Sequence, residues 1–527
     1  MTNSIDELEH AECIFIIGSN TSEAHPLIAS RIFKAKERGA TIIVADPRKI
    51  HLAHYADIHV RQRLGTDVAL INGIMQAILS EGWEDKDYIA ARTEQFDQLR
   101  EAIAPYTPEK VEEITGVSAQ DLRSIARAYA TSKSSSIVYA MGITQHTTGV
   151  DNVKSLANLA MLCGRVGVES GGVNPLRGQN NVQGSCDMGA LPNVYPGYQQ
   201  VNNEETAKKF EAAWGTTLSR KPGLTIMDMF DGALAGTTKA MIILGENPMV
   251  SDPDLRHVAE ALNALDFLLV IDIFLTETAR LADVVLPGVS FAEKEGTFTN
   301  TERKVQRVRK AIEPVGSARP DWQILCDLSR AMGYPMDYSH PSAIQEEVAA
   351  LTPSYGGITY DRLEQGGLQW PCPTREHPGT KFLHKDRFTR GKGLFHPVAY
   401  KPPAELMDAD YPYQLTTGRT FVHYHTGTMT RNSPSLHAEM KEGYIEVHPE
   451  DAQKLGIREN DMVKITSRRG AIETRVVITE RVEKKVVFIP FHFAEAAANV
   501  LTHAALDPVA KIPELKVCAV RVEKSPG

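Results

Sequence analysis

The chain has 527 residues, 42% of them apolar and 23% charged, with a formal net charge of −9. That length calls for several cores, because single cores stop growing near roughly 250–300 residues. The acidic balance argues against nucleic acid as a main partner. No apolar run approaches the roughly 18 residues of a membrane span, so none is expected.

The opening MTNSIDELEH is acidic and lacks an apolar core, so it does not read as a secretory signal. The six cysteines are Cys13, Cys163, Cys186, Cys326, Cys372 and Cys518, and no two form a CxxC pair. That spacing speaks against a zinc ribbon or a locally bound iron–sulfur cluster. They read as reduced, mostly buried thiols of a cytoplasmic protein rather than a disulfide framework.

Along the chain, CIFIIG (13–18) reads as a buried parallel strand ending in glycine. LIASRIFKAKERG follows as a helix, and TIIVADPR (41–48) as a second strand ending in an acid, which together make one βαβ unit. GVSAQDLRSIARAYATS is a helix with Ser118 as its cap, SSIVYAMGIT (135–144) a strand running into Gly142, and VKSLANLAMLCGRVG a buried helix. The βαβ pattern then returns, with AMIILGENP (240–248) as a strand, DPDLRHVAEALNAL as a helix and FLLVIDIF (267–274) as a strand. Each unit has a glycine just past its first strand and an aspartate at the end of its second. In open α/β sheets the crevice beyond the strands' carboxyl ends receives ligands. Neither unit carries a full GxGxxG, so a standard nicotinamide fingerprint is absent.

ERKVQRVRK (302–310) reads as a solvated edge strand, with docking of an acidic electron carrier as the other reading. Residues between about 330 and 400 read as long excursions rather than a linker. From Pro402 the texture becomes short alternating strands broken by Gly, Asn-Asp and Pro, which predicts a β-barrel with turns at Asn460-Asp461 and Arg469-Gly470. In GRTFVHYHT the two histidines can share a strand face and bind metal, or be satisfied polar groups at a buried turn. No third ligand stands nearby, and no metal ligand is assigned. GGVNPLRGQNNVQGSCDMGALP (171–192) has almost no apolar periodicity and holds one positive charge, Arg177, among side-chain amides.

This loop, together with FLTETARLADVVLPGVSFAEKEGTFTNTERKVQRV and LTTGRTFVHYHTGTMTRNS, resembles the catalytic subunit of molybdenum- or tungsten-dependent formate dehydrogenase, a bis-molybdopterin guanine dinucleotide oxidoreductase family. The resemblance runs the length of the chain. It implies an α/β fold of two pseudo-symmetric Rossmann-like domains with a C-terminal barrel of double-psi type. The expected boundaries are 1–179, 180–292, a connecting region 293–402, and the barrel 403–527. The implied cofactor is Mo or W bis-molybdopterin guanine dinucleotide.

By resemblance Arg177 holds the formate carboxylate. A planar guanidinium matches a carboxylate fork, and a partly dry charge binds an anion strongly. Arginine tying the loop or neutralising cofactor phosphate is the other reading. The resemblance also implies cofactor contacts residue by residue. Past the first strand these are Gly18, Asn20 and Glu23, then Asp46 and Arg48, then Gly65 and Asp67 in LGTD. Gly142, Gln145 and Gln179 follow. The second unit supplies Gly245, Glu246, Asn247 and Asp272, where the family often has an acid at the position of Asn247. Asp321, Arg419, His423, Tyr424, His425, Thr426, Asn499 and Lys516 complete the set.

The family also begins with a four-cysteine motif for a 4Fe–4S cluster, followed by a cysteine or selenocysteine metal ligand. Neither is present, and none of the six cysteines stands in a matching context. The chain therefore reads as the C-terminal portion of the subunit, with the cluster expected on a preceding segment and the frame interrupted at a UGA selenocysteine codon. The expected partners are formate and CO2, that segment, and electron-transfer subunits carrying iron–sulfur, flavin or hydrogenase centres. Two other readings stay open: a cofactor-binding fragment without turnover of its own, and another oxyanion reductase of the group such as nitrate reductase.

Overall fold

Five short strands, β1 (Cys13–Ile17), β2 (Thr41–Ala45), β3 (Ile58–Val60), β4 (Ser135–Tyr139) and β5 (Val173–Pro175), form an all-parallel sheet in the order β3-β2-β1-β4-β5. The computed structural model describes residues 1–525. In β1 every side chain is buried, as expected of a strand covered on both faces. One face, with Phe15, Ile17 and Ile137, packs on α2 (Asp67–Glu81), α3 (Ala119–Thr131) and α5 (Gly149–Leu162) through Leu70, Ile74, Leu122, Ile125 and Leu156. The other face, with Ile14, Ile16 and Val44, packs on α1 (Pro26–Glu37) through Ile28 and Ile32. Ser118 caps α3 by accepting from the Asp121 amide at 3.0 Å, as its position predicts. The expected strand over 135–144 stops at Tyr139, and Met141–Thr144 turn into a short helix, α4.

This sheet belongs to one of two units, which joins residues 1–178, 250–255 and 382–527; the other holds 179–249 and 256–381. In the second unit β6 (Ala240–Leu244), β7 (Phe267–Asp272) and β8 (Val284–Pro287) form a parallel sheet in the order β8-β7-β6, with α7 (Leu255–Asn263) between β6 and β7 in sequence. Leu269 and Ile271 pack on Ile324 of α8 (Asp321–Ala331). A second sheet is antiparallel, β9 (Gly296–Thr299), β10 (Lys304–Val308) and β11 (Leu368–Gln369). The basic run 302–310 is therefore not an edge: β10 is flanked on both sides. Its charges are consumed locally, Arg303 by the carbonyls of Trp370, Thr380 and Lys381, and Arg307 and Arg309 by Glu364. Residues 330–400 include the helix Pro341–Leu351.

The first unit closes with a six-stranded barrel: β12 (Tyr413–Gly418), β13 (Tyr444–Val447), β14 (Met462–Thr466), β15 (Ala471–Ile478), β16 (Val486–Pro490) and β17 (Cys518–Lys524), ordered β12-β16-β13-β15-β14-β17. Two pairs, β12 with β16 and β13 with β15, are parallel. Leu415, Ile445, Val463, Ile465, Val476, Val487 and Val520 fill its interior. Asn460 sits at φ 65°, turning the chain into β14, and Ser467 donates to the Gly470 carbonyl at 2.9 Å to close the β14–β15 hairpin. No cysteine among the described residues is bonded to another, and no helix among them is long and apolar enough to cross a membrane.

In the second unit the helix α6 (Val182–Asp187) that follows the amide-rich loop is held by one buried carboxylate. Asp187 accepts from Gln183 Nε2 (2.7 Å), Tyr198 Oη (2.9 Å), Trp370 Nε1 (2.7 Å) and the Tyr355 hydroxyl. Removing the acceptor strands four donors. Asp187→Ala is expected to destabilise by about 3 kcal/mol or more, and Tyr355→Phe, which removes one donor, by about 1–2 kcal/mol. Urea unfolding of the two variants beside the parent checks both the size and the order.

Candidate functional site

The strand order of the first sheet reverses between β1 and β4, and that is where a ligand crevice opens in an α/β sheet. Gly18 ends β1 with φ 57°, and Gly142 follows β4. Their backbones touch: the Gly142 amide donates to the Gly18 carbonyl at 3.1 Å. A Cβ on Gly142 would lie 2.5 Å from that oxygen, and one on Gly18 would lie 2.8 Å from the Gly142 carbonyl carbon. Only two glycines permit this approach.

Above the contact lies a cavity walled by the sheet's carboxyl-end loops and by the barrel. It brings together ten of the residues named from sequence: Gly18, Asn20, Glu23, Asp46, Arg48, Gly65, Asp67, Gly142, Arg419 and Lys516. Leu176 and Gly178, on either side of Arg177, also line it.

Four cavity residues, Asn20, Gln62, His146 and Arg419, hold buried polar atoms without a hydrogen-bond partner in the protein. Both amide atoms of Asn20 lack a hydrogen-bond partner, and so does Arg419 Nη2. A buried polar group without a partner costs about 1–3 kcal/mol, so these atoms fit a ligand rich in donors and acceptors. The charges fit as well. Burial pushes the Asp46 carboxyl up to about 6, against a 2.9 Å bond from the Arg48 amide. Burial also raises Asp67, whose Oδ1 accepts from Gln62 Nε2 at 3.1 Å. Lys516 donates to the Thr417 carbonyl at 2.7 Å; burial first, and the Arg419 charge second, bring it down to about 7. Carboxylates able to take ribose hydroxyls or base amines, cations for phosphates and a side-chain-free floor match a nucleotide-bearing group.

Comparison with known proteins decides the class. A model of the Molybdopterin oxidoreductase family matches residues 1–331, and one of the Molydopterin dinucleotide binding domain matches residues 413–519. The chain belongs to the molybdopterin oxidoreductase family. It is 54% identical to the F420-dependent formate dehydrogenase subunit alpha of Methanocaldococcus jannaschii, over 99% of this chain and 78% of that protein. Formate dehydrogenase H of Escherichia coli is 42% identical over 99% of this chain and 74% of its own length. The assimilatory nitrate reductase catalytic subunit of Bacillus subtilis is more distant, at 37% over 99% and 76%. Acetylene Hydratase from Pelobacter acetylenicus shares the fold, with a TM-score of 0.78 at 20% identity over 99% of this chain and 81% of that one.

In this molybdopterin oxidoreductase several sequence-named residues spend their polar atoms on the protein. Arg48 makes a bidentate pair with Glu446 on β13 (Nε–Oε2 3.1 Å, Nη2–Oε1 2.9 Å), 3.4 Å over the Phe488 ring. Glu23 pairs with Arg481 at 2.9 Å. Asn499 donates to the Val250 and Ser251 carbonyls, both at 2.9 Å, and accepts from Thr502. His423 uses both ring nitrogens, on Thr430 Oγ1 (3.1 Å) and the Met440 carbonyl (2.7 Å). The Thr426 and Thr428 hydroxyls share a 2.9 Å bond, and the Tyr424 amide donates to Thr430 Oγ1 at 3.2 Å. Gln145 is buried at the end of α4. Gly65, at φ 74°, packs against Pro403.

The second unit shows its own arrangement at the ends of β6 and β7. Gly245 has φ 64° and open space where a side chain would be. Glu246 is exposed, and Gln179 is half-buried. Asn247 accepts from the Thr278 amide (3.1 Å) and hydroxyl (2.8 Å) and donates to Glu277 at 2.7 Å. Asp272 accepts from the Ile273 amide at 2.6 Å, and burial raises its carboxyl. Asp321 pairs with Lys294 at 2.6 Å.

Sequence reading missed His25, Gln62 and His146 in the cavity wall, and His492 behind it. No motif flags them; a buried histidine reads as core until its partners are known. His492 Nε2 accepts from the Thr420 amide at 2.9 Å, and its Nδ1 donates to the His425 carbonyl, which fixes the neutral tautomer. His146 Nε2 donates to the Gly142 carbonyl at 2.9 Å.

Two outcomes follow from this geometry. Gly142→Ala forces the β1 and β4 ends apart at a cost of about 1–3 kcal/mol. Bound pterin dinucleotide per mole of purified chain should fall about tenfold. The second concerns acid. Burial first, then the Arg419 charge, holds His25 and His425 down at about 4, and burial holds His492 at about 3, against an ordinary 6.5. Protons then bind the unfolded chain better than the folded one, so the penalty is absent above pH 6.5 and grows as pH falls toward 4. Thermal midpoints across this range should fall steeply, and His492→Asn, which cannot titrate, should flatten the slope.

Proposed function

We propose that this chain is the catalytic-subunit portion of a formate dehydrogenase, oxidising formate to CO2, a proton and two electrons, or running the reverse. The observation that carries this reading is the position of Arg177. It is the one cation of the loop after β5, and its two sequence neighbours wall the cavity. A bis-molybdopterin guanine dinucleotide bearing Mo or W would supply the two-electron redox centre. Gly18, Asn20, Asp46, Asp67, Gly142, Arg419 and Lys516 would hold one dinucleotide, and Gly245, Glu246, Asp272 and Asp321 the other.

Arg177 binds and orients the substrate. Two parallel N–H groups fit the two oxygens of formate, leaving its C–H as the end that points away. Neutral competitors lack the charge that this fork rewards. The amides of Gln179, Asn180 and Asn181 add directional donors to the loop without competing charge. The electrons pass to a separate carrier, an iron–sulfur, flavin or hydrogenase subunit. None of the six cysteines of these 527 residues is assigned as a cluster or metal ligand. The nitrate reductases of the family share the fold but stand at lower identity than the formate enzymes.

In the assembled enzyme Arg177→Lys keeps the charge and loses the planar fork. Its kcat/KM for formate should fall at least about tenfold, with Arg177→Ala lower still. Pterin and metal content, measured on the same preparations, should stay near that of the parent. Loss of metal in proportion to activity would make Arg177 a cofactor anchor instead.

A further inference from the structure

Arg177 is pinned from both sides. The Leu176 amide donates to the Tyr139 carbonyl at the end of β4, at 2.8 Å. On the other side the Gly178 carbonyl accepts from Arg419 Nη1 at 2.7 Å. The first anchor is part of the sheet. The second comes from a guanidinium with an unmet nitrogen of its own.

Arg419 Nη2 is buried without a partner, on a residue that lines the cavity. No carboxylate among the described residues lies within ion-pair distance of Arg419. Its charged surroundings are the Lys516 ammonium and the imidazoles of His25, His425 and His492, all of which its charge disfavours protonating. Tyr424 stands beside it, the guanidinium carbon 5.7 Å from the ring centre. The guanidinium also needs the missing side chain of Gly178, where a Cβ would lie 2.7 Å from Nη2. A cation whose Nη2 is buried and unmet, with no counter-charge beside it, calls for an anionic oxygen from the cavity. The group is planar and rigid, so fixing Nη2 also fixes the direction in which Nη1 points.

We propose that Arg419 is a positioning residue that makes the placement of Arg177 depend on occupancy of the cavity. One nitrogen takes an anionic oxygen of the bound dinucleotide, and the other then holds the Gly178 carbonyl beside Arg177. The formate-binding arginine is set only once the redox group is present. This rests on the reading of Arg177 as the formate ligand.

The test uses the full chain in its assembled enzyme, both loaded and made in a host that cannot complete the pterin dinucleotide. Four proteins are compared: parent, Arg419→Lys, Gly178→Ala and Arg177→Lys. Three readouts are taken: released pterin per chain, the split between KM and kcat for formate, and backbone hydrogen exchange over residues 174–180. In the parent, loading should slow exchange over this segment about tenfold. Lysine has one nitrogen and cannot serve both partners. Arg419→Lys should therefore keep pterin within about twofold, raise KM about tenfold with kcat within about threefold, and lose the loading-dependent protection. Gly178→Ala should reproduce this with Arg419 intact, by excluding the guanidinium. Parental KM and parental protection in Arg419→Lys would overturn the proposal. So would a loss of pterin in both variants with unchanged KM in the loaded fraction, or failure of both to load, since either makes Arg419 an anchor alone. If Arg419→Lys abolishes the protection while Arg177→Lys leaves KM unchanged, the coupling stands and the reading of Arg177 fails.

Discussion

The buried ion pair between Arg48 and Glu446 joins the two halves of the cavity wall. Arg48 ends the loop after β2, and Glu446 lies on barrel strand β13, 398 positions away. Both are buried, and the guanidinium stacks on Phe488 of β16. Either charge alone in that place would be strongly destabilising, so the pair enforces its own assembly: the barrel seats on the sheet or both charges go unmet. Arg481 extends the pair by bonding Glu446 at 3.3 Å and Glu23 at 2.9 Å, and Glu23 stands in the short helix Thr21–Ala24 that follows β1. Two carboxyl-end segments of the sheet and two barrel strands become one electrostatic unit.

That network also decides what the cavity can offer a ligand. Arg48 and Glu23 line the wall, but their charges are largely spent on the protein. The positive field left for an occupant comes from Arg419 and Lys516, neither of which has a carboxylate partner within ion-pair distance among the described residues. Neutral imidazoles fill the space around Arg419, where protonated ones would repel it. His492 shows how this is held: with one nitrogen accepting and the other donating to backbone, a second proton would break a bond as well as add a charge.

Much of this was legible in the sequence because it depends on short-range pattern. Apolar runs ending in Gly18 and Asp46 announce strands, loops and a ligand crevice, and alternation after Pro402 announces a barrel. What stayed hidden depends on partners distant in sequence. Nothing near Arg48 signals Glu446, and nothing near Asn499 signals the carbonyls of Val250 and Ser251. The basic run 302–310 looked like a solvated edge because neither Glu364 nor strand β11 is nearby in sequence. The join of residues 1–178 with 382–527 was hidden for the same reason. Periodicity reports how a segment is buried, not which segment buries it.

The composition of the amide-rich loop acquires a physical sense from Arg419. A carboxylate close to Gly178 would neutralise that guanidinium permanently, and the unmet Nη2 would vanish. A lysine there would add repulsion to a site already crowded with Lys516 and Arg419. A larger side chain at residue 178 would displace the guanidinium. Glycine and neutral amides are the residues left that keep the loop polar without saturating or repelling the buried charge. Such a loop buries Val173 and Leu176 at its start, but from Arg177 to Asn181 it has no apolar side chain to bury. It is held instead at a few points: the Tyr139 carbonyl before Arg177, the Arg419 contact after it, and the side-chain hub of Asp187 within the second unit. A substrate-binding arginine on such a segment is positioned by its anchors rather than by its own packing, so its geometry can answer to whatever fills the cavity.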